Sequence, residues 1–203
     1  PLTIIEAHAT ARFDGEEYPL PVEIGDTVHE PTRFSSRFNG HMVLANAGTC
    51  MQLKELSTVA FEKIQSPLAP SKFPAFTNPH LFSHRNHQDT GLTLTLSFGT
   101  LLVESSREQI SLSVGKFRVD ANQATFAVTT SPSRGERISV LNGQLKVRNQ
   151  DCSLTYLSSG QCLLQAPRGS AVLSNLQECA ENAPHLSALT NFSKNKAISQ
   201  ALP

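Results

Sequence analysis

The stretch from Ala124 to Gln161, ATFAVTTSPSRGERISVLNGQLKVRNQDCSLTYLSSGQ, decides the fold class of this chain. Three short runs in it, 126–128, 138–140 and 145–147, carry an apolar residue at every second position. This spacing places those side chains on one face of an extended strand. Gly143 stands between the last two runs, where a tight corner favours a residue without a Cβ atom. The stretch predicts consecutive short strands of an all-β domain.

The same period of two recurs upstream. The clearest case is 90–98, where leucine or phenylalanine stands at each even position from 92 and threonine or serine stands between them. Two further runs, 110–114 and 117–119, repeat the pattern. Strands of about five residues at spacings of roughly 8 to 12 are typical of rolls, sandwiches and short solenoids. We therefore predict an all-β fold, with short strands coiled into a two-sheet roll, a short β-solenoid or a sandwich.

Composition narrows the class of partner. The 203 residues can bury a sizeable core, and their 17 basic and 17 acidic side chains cancel. The overall charge therefore gives no attraction to nucleic acid, which we do not expect as a partner. Trp is absent and Tyr occurs twice, which leaves few aromatic platforms for bases or sugars. No apolar run approaches the roughly 18 residues of a membrane span, so we expect membrane attachment only through a segment outside this chain.

The residue pattern divides the chain into a β-domain over 1–166 and a tail over 167–203. Within the β-domain, the segment 66–91 contains four prolines among Asn, Ser and His residues, which predicts a long loop insertion. The tail holds the stretches that favour helix, 175–183 and 187–201. We expect a small, partly helical tail that packs across an open end of the β-domain and prevents edge-to-edge pairing.

The order of motifs resembles the periplasmic domain of FecR-type proteins. In that family a strand ending in Phe-x-Val precedes Val-x-Val-x-x-Gly-x-Val-x-Val and then Leu-x-x-Gly-Gln, and here TFAV, ISVLNGQLKV and LSSGQ follow in the same order. Upstream, IGDTV at 24–28 is similar to the family's Gly-Asp entry. The run at 33–64 is similar to its succession of strand, Gly turn, second strand and Ser/Thr-Leu step. The resemblance covers residues 7–165.

This resemblance implies a two-sheet roll with a non-catalytic role in the bacterial periplasm or cell envelope. FecR-type proteins typically join a cytoplasmic anti-sigma part and one membrane span to such a β-domain outside, which senses the state of an outer-membrane transporter. The resemblance thus implies a recognition domain for another envelope protein, in its specific form the sensing ectodomain of a transmembrane anti-sigma regulator. The alternative is a structural envelope module that scaffolds other proteins or the cell wall.

Four apolar side chains in the 66–91 loop are candidate partner-binding residues: Phe73, Phe76, Leu81 and Phe82. An exposed apolar patch tends to mark a partner site. An unpaired strand edge beside it would accept an extended partner segment through main-chain hydrogen bonds. The alternative is that these side chains close one end of the core.

Three histidines in the same loop, His80, His84 and His87, are the weak candidates for a metal site. On a helix His80 and His84 would lie one turn apart, with His87 one turn further along. A proline precedes the cluster and Asp89 is the one carboxylate nearby, which favours a solvated polar loop over a metal-assisted hydrolase. The chain also lacks the H-E-x-x-H and G-x-S-x-G motifs. We predict a protein that is not an enzyme and that binds no metal or cofactor.

The four cysteines, an even number, fit an oxidising compartment, and buried free thiols in a cytosolic protein are the alternative. Cys152 and Cys162 lie five residues on either side of Leu157. A hairpin turning there would place them on facing strands, at nearly the separation that a disulfide needs. We predict a Cys152–Cys162 disulfide, which leaves Cys50 and Cys179 over.

Overall fold

The computed structural model describes residues 2–7, 9–13, 20–28, 32–45, 48–64 and 91–177. The strands of these ranges are, in chain order, β1 Leu2–Ala7, β2 Ala9–Phe13, β3 Leu20–Pro21, β4 Thr27–Val28, β5 Thr32–Ser36, β6 Met42–Ala45, β7 Thr49–Leu53, β8 Thr58–Ile64, β9 Gly91–Val114, β10 Phe117–Ser131, β11 Gly135–Asn142, β12 Gln144–Asn149, β13 Leu154–Ser158, β14 Gln161–Gln165 and β15 Ala171–Asn175. All ladders between them are antiparallel. The predicted all-β class is confirmed. Within the described ranges, no helix has the length and apolar character needed to span a membrane.

The two long strands β9 and β10 form a hairpin around which the other strands are arranged. Their ladder runs from Val114 opposite Phe117 to Gly99 opposite Thr130. Its register shifts between Asn122 and Ala124. Such a bulge bends the strand that contains it and increases its twist. The two halves of the hairpin therefore take part in different portions of the sheet.

The strands fall into three groups that meet at this hairpin. The main sheet has the order β15-β14-β11-β10-β9-β7-β6-β1-β4. The distal sheet consists of β9 and β10 beyond the bulge, followed by β12 and β13. A third group starts from the first residues of β9, at 92–98, and continues through β8 and β5 to β2 and β3.

The corner at Gly143 carries the chain from the main sheet to the distal sheet. β11 pairs with the 125–131 half of β10, whereas β12 pairs with the 117–121 half. Gly143 has a φ of 86°, and a Cβ atom there would lie 2.5 Å from the carbonyl oxygen of Gln123. The corner needs glycine both for its backbone conformation and for its close approach to β10. The predicted tight corner is confirmed.

One apolar cluster fills the interior and joins the three groups. It includes Phe126 of the main sheet, Val119 of the distal sheet and Phe61 of the third group, each at most 1% exposed. Phe61 meets Phe34 edge to face, with ring centroids 5.5 Å apart. The period-two pattern of the sequence supplies these inward side chains, and the bends of β9 and β10 bring them to a common core.

The middle of the main sheet is buried on both faces. Leu101 and Val103 of β9 belong to the main cluster, while Leu102 between them packs with Ala127 and Cys162 in a second, smaller cluster. All five are at most 1% exposed. A strand buried on both faces has a continuous apolar run in place of an alternating one.

Two features of the C-terminal part differ from the sequence expectations. β13 and β14 do not pair with each other across the turn at 159–160: β13 pairs with β12, and β14 pairs with β11 and β15. Residues 171–175, within the predicted tail, form a strand that extends the main sheet. Most of the predicted helical stretches, at 178–203, lies outside the described residues.

Candidate recognition surface

The residues predicted to bind a partner or a metal are placed by the sequence in the 66–91 loop. Phe73, Phe76, Leu81 and Phe82 lie outside the described residues. The same holds for His80, His84 and His87. Among the residues that are described, no group of three or more His, Cys, Asp and Glu side chains could hold a metal ion.

The predicted Cys152–Cys162 disulfide is wrong. Cys152 has a free, exposed thiol in the turn between β12 and β13, whereas Cys162 is fully buried on β14. The prediction required a hairpin centred on Leu157, but the turn at 159–160 passes the chain from the distal sheet back to the main sheet. The two cysteines consequently lie on different sheets and not on facing strands.

The distal sheet presents one polar face built from successive rungs of its ladders. Its inward residues, among them Val119, Val147 and Leu157, are buried in the core. Two rows of residues lie on the opposite face. The first row, from β9 to β13, is Ser111, Asp120, Lys146 and Tyr156. The second row, in the same order, is Ser113, Arg118, Arg148 and Leu154. We call these eight residues the distal face.

The distal face carries more positive than negative charge. Asp120 Oδ1 accepts a hydrogen bond from Ser111 Oγ at 2.8 Å and lies 3.6 Å from Arg118 Nε, which donates to Ser111 Oγ at 3.0 Å. The carboxylate is thus paired with Arg118. Lys146 and Arg148 have no carboxylate within 4.0 Å among the described residues. Two positive charges remain on a chain whose overall charge is zero.

The outer edge of the distal sheet is strand β13. Within the described ranges β13 pairs with β12 alone. The N–H of Ser158 donates to the side-chain oxygen Oε1 of Gln161 at 2.8 Å, so it points away from β12. Alternate residues of a strand point their backbone groups to the same side. The N–H and C=O groups of Tyr156 and Leu154 therefore face the same edge.

Tyr156 and Leu154 add apolar surface to this edge. Their exposed fractions are 55% and 45%, which is high for apolar side chains on a strand. Beside Tyr156 runs an open groove of about 230 Å³, whose lining includes Asp120, Asn122, Gln144 and Lys146. The arrangement combines a backbone edge, two apolar side chains and a cationic surface, which suits a chain segment better than a reacting small molecule.

A second exposed apolar group consists of Phe38 in the turn before β6, Leu56 in the turn before β8, and Phe98 within β9. Phe38, Leu56 and Phe98 are 72%, 49% and 41% exposed. The turns are tied together, since Leu56 N–H donates to the carbonyl of Arg37 at 3.2 Å and Thr100 N–H donates to Ser57 Oγ at 2.8 Å. Leu56 has a φ of 49°, a conformation that is costly for a large side chain.

Sequence reasoning missed the distal face. Arg118, Lys146 and Arg148 occupy the outward positions of the runs at 117–119 and 145–147, so the period of two already placed them on a solvated face. The missing information was the pairing of β10 with β12. That pairing places Arg118 directly opposite Arg148, which lies 30 positions further along the chain.

Comparison with known proteins identifies the fold. No family model matches the chain, and no curated protein matches it. Among solved structures, two crystal structures of a "putative anti-sigma factor" from Parabacteroides distasonis ATCC 8503 are similar. One has 14% identity and a TM-score of 0.52 over 71% of this chain and 60% of the other. The second has 13% identity and a TM-score of 0.50 over 70% and 59%. The chain spans about 60% of the length of these proteins and shares the fold of that portion.

Proposed function

We propose that this chain is the recognition domain of a FecR-type anti-sigma regulator and lies outside the cytoplasm in the bacterial envelope. The observation that carries the proposal is the fold, which over 71% of the chain is similar to a protein described as a "putative anti-sigma factor". The order of the Phe-x-Val, Val-x-Val-x-x-Gly and Leu-x-x-Gly-Gln motifs supports the FecR type. In this role the domain recognises another envelope protein. Other parts of a longer protein, to which this chain would belong, then transmit the state of that envelope protein to a sigma factor.

The surface of the described residues supports recognition over catalysis. Among the described residues, the distal face brings positive charge and an open strand edge beside exposed apolar side chains. A rigid sheet with one core would present such a surface in a constant geometry. Binding to a preorganised surface costs less conformational entropy than binding to one that must first become ordered.

The envelope location is tested by reporter fusions to the full-length protein in its bacterial host. Alkaline phosphatase joined after residue 203 folds actively only outside the cytoplasm, and β-galactosidase at the same position is active only inside. We expect an active phosphatase fusion and an inactive β-galactosidase fusion. The opposite pair of results would contradict the location.

The regulatory role is tested by removing residues 1–203 from the full-length gene and measuring transcription from a promoter of the cognate sigma factor. We expect the promoter to lose its response to the inducing condition while the host still makes the rest of the regulator. An unchanged response together with an envelope location would overturn the regulatory role and favour the scaffold module.

A further inference from the structure

We propose that the distal face binds an acidic, extended segment of a partner protein, which pairs with the open edge of β13 as an added strand. The proposed function leaves the recognition surface unassigned, and this inference gives it a location and a partner chemistry. It stands on the distal face alone and does not depend on where in the cell the protein lies.

The backbone of β13 provides the main-chain groups with which an added strand would pair. Ser158 N–H already points away from β12 and is capped by Gln161. By alternation, the backbone groups of Tyr156 and Leu154 open to the same side, where the described residues supply no further strand. An extended segment can satisfy these groups by main-chain hydrogen bonds, as in strand addition to a sheet edge.

The other edge of the main sheet is a weaker candidate. β15 also exposes apolar side chains, since Val172 and Leu173 are 57% and 51% exposed. However, Ser174 and Asn175 in the same strand have further interactions of their own. β15 also lacks a comparable surplus of charge, because its five residues are all uncharged. The edge of β13 beside the distal face is therefore the better candidate for strand addition.

The positive charge of the distal face favours an acidic partner segment. Lys146 and Arg148 lie on β12, directly across from Tyr156 and Leu154 of β13. Neighbouring strands are separated by about 4.8 Å, so a strand added beyond β13 would lie about 10 Å from β12. This distance is near one Debye length at physiological salt, and long side chains shorten it further. Acidic side chains on the added strand would thus be attracted, and basic ones repelled.

The surroundings of the β13 edge determine which side chains an added strand could carry. Side chains of an added strand alternate between the distal face and the core side. Those on the distal face would stand beside Tyr156 and Leu154 and within range of the two cations. Those on the other side would adjoin the edge of the buried layer to which Leu157 belongs. The fitting segment therefore alternates acidic and apolar residues.

The test uses the purified chain of 203 residues and three fluorescently labelled synthetic peptides of eight residues. They are (Glu-Val)4, (Lys-Val)4 and (Glu-Pro)4, and binding is followed by fluorescence anisotropy. We expect (Glu-Val)4 to bind at least tenfold more tightly than (Lys-Val)4, because the latter meets like charges. We also expect it to bind at least tenfold more tightly than (Glu-Pro)4, which lacks every second N–H group. Equal affinity for (Glu-Val)4 and (Glu-Pro)4 would overturn strand addition.

Charge reversal locates the site. The double variant K146E/R148E should weaken binding of (Glu-Val)4 at least tenfold and strengthen binding of (Lys-Val)4. The matched control R134E/R168E makes the same change in net charge at two exposed turn residues outside the distal sheet. It should alter the affinity less than threefold. Equal losses in both double variants would mean a response to overall charge and would overturn the assignment to the distal face.

The edge itself is tested by Tyr156→Pro, which removes an outward N–H group while sparing the ladder to β12. Binding of (Glu-Val)4 should fall at least tenfold, and Tyr156→Phe should bind as the natural chain does. If Tyr156→Pro does not show the circular dichroism of the natural chain, Leu154→Pro takes its place. Unchanged binding by a folded proline variant would overturn the proposal. These measurements use purified protein and are therefore independent of the cellular location. A negative binding result would not contradict the envelope location, and a cytoplasmic location would not contradict the binding result.

Discussion

At the scale of single residues, backbone conformation and close approach act together at the corners of the sheet. Gly143 and Gly160 have nearly the same φ, 86° and 81°. A Cβ atom at Gly143 would lie 2.5 Å from one backbone oxygen and 2.9 Å from the Cα of Ala124, whereas at Gly160 it would meet no atom within 4 Å. The two glycines therefore separate the cost of conformation from the cost of contact.

We expect Gly143→Ala to lower the free energy of unfolding by about 2–4 kcal/mol, since backbone strain and a steric clash add together. The matched variant Gly160→Ala carries the strain alone and should cost about 1–2 kcal/mol. Urea unfolding followed by circular dichroism measures both. Equal losses for the two variants would show that the close approach at Gly143 relaxes without cost.

Cysteine reactivity distinguishes the two cysteines that the sequence paired. Cys152 is exposed and Cys162 is fully buried. In the folded protein without reductant, iodoacetamide should modify Cys152 and leave Cys162 unmodified, as read by peptide mass spectrometry. Protection of Cys152 under these conditions, reversed by reductant, would contradict the free thiol.

At the scale of elements, buried polar side chains connect turns to neighbouring strands. Ser57 is 1% exposed, and its Oγ accepts from Thr100 N–H at 2.8 Å and donates to the carbonyl of Glu55 at 3.0 Å. Its N–H in turn donates to Ser36 Oγ at 3.0 Å. One serine thus links the turn before β8 to both β5 and β9.

We expect Ser57→Ala to lower the free energy of unfolding by about 1–3 kcal/mol, because it leaves the Thr100 N–H without its acceptor in a part-buried site. Ser133→Ala is the control, since Ser133 is exposed in a turn and should change stability by less than about 0.5 kcal/mol. Thermal unfolding of the two variants gives the comparison. A Ser57→Ala protein as stable as the control would mean that water replaces the lost hydroxyl.

At the scale of the whole molecule, the common apolar cluster predicts cooperative unfolding. Phe126 is fully buried in the cluster that joins the three groups of strands. Phe126→Ala should therefore cost about 3–5 kcal/mol and still leave one unfolding transition. Tyr156→Ala, on the distal face, should cost less than about 1 kcal/mol.

Circular dichroism and intrinsic tyrosine fluorescence, both followed through a urea titration, test this cooperativity. The natural chain and Phe126→Ala should each give coincident curves from the two probes. Two separated transitions would show that the chain unfolds in parts. Repeating the titration with Tyr18→Phe, which leaves Tyr156 as the one tyrosine, assigns the fluorescence transition to the distal sheet.

Much of the strand content was predictable from local pattern. Alternation at 92–96, 110–114 and 138–140 identified strands and their buried faces, because the period of two is a property of each strand by itself. Phe98, which the same alternation placed on the buried face, is 41% exposed. The strand at 171–175 was missed, since most of its residues are exposed and it shows no alternation of burial. It forms because β14 offers it an edge.

The sequence by itself determined the all-β class, the corner at Gly143 and the outward positions of Arg118, Lys146 and Arg148. Only the tertiary structure decided which strands those corners connect. The register shift in the β9–β10 ladder, where the extra residues lie on β9, separates the half of β10 that pairs with β12 from the half that pairs with β11. β13 and β14 therefore join different sheets, and the expected Cys152–Cys162 bridge does not form. The physical reason is that side-chain alternation depends on the nearest neighbours in the chain, whereas strand partners depend on contacts between distant segments.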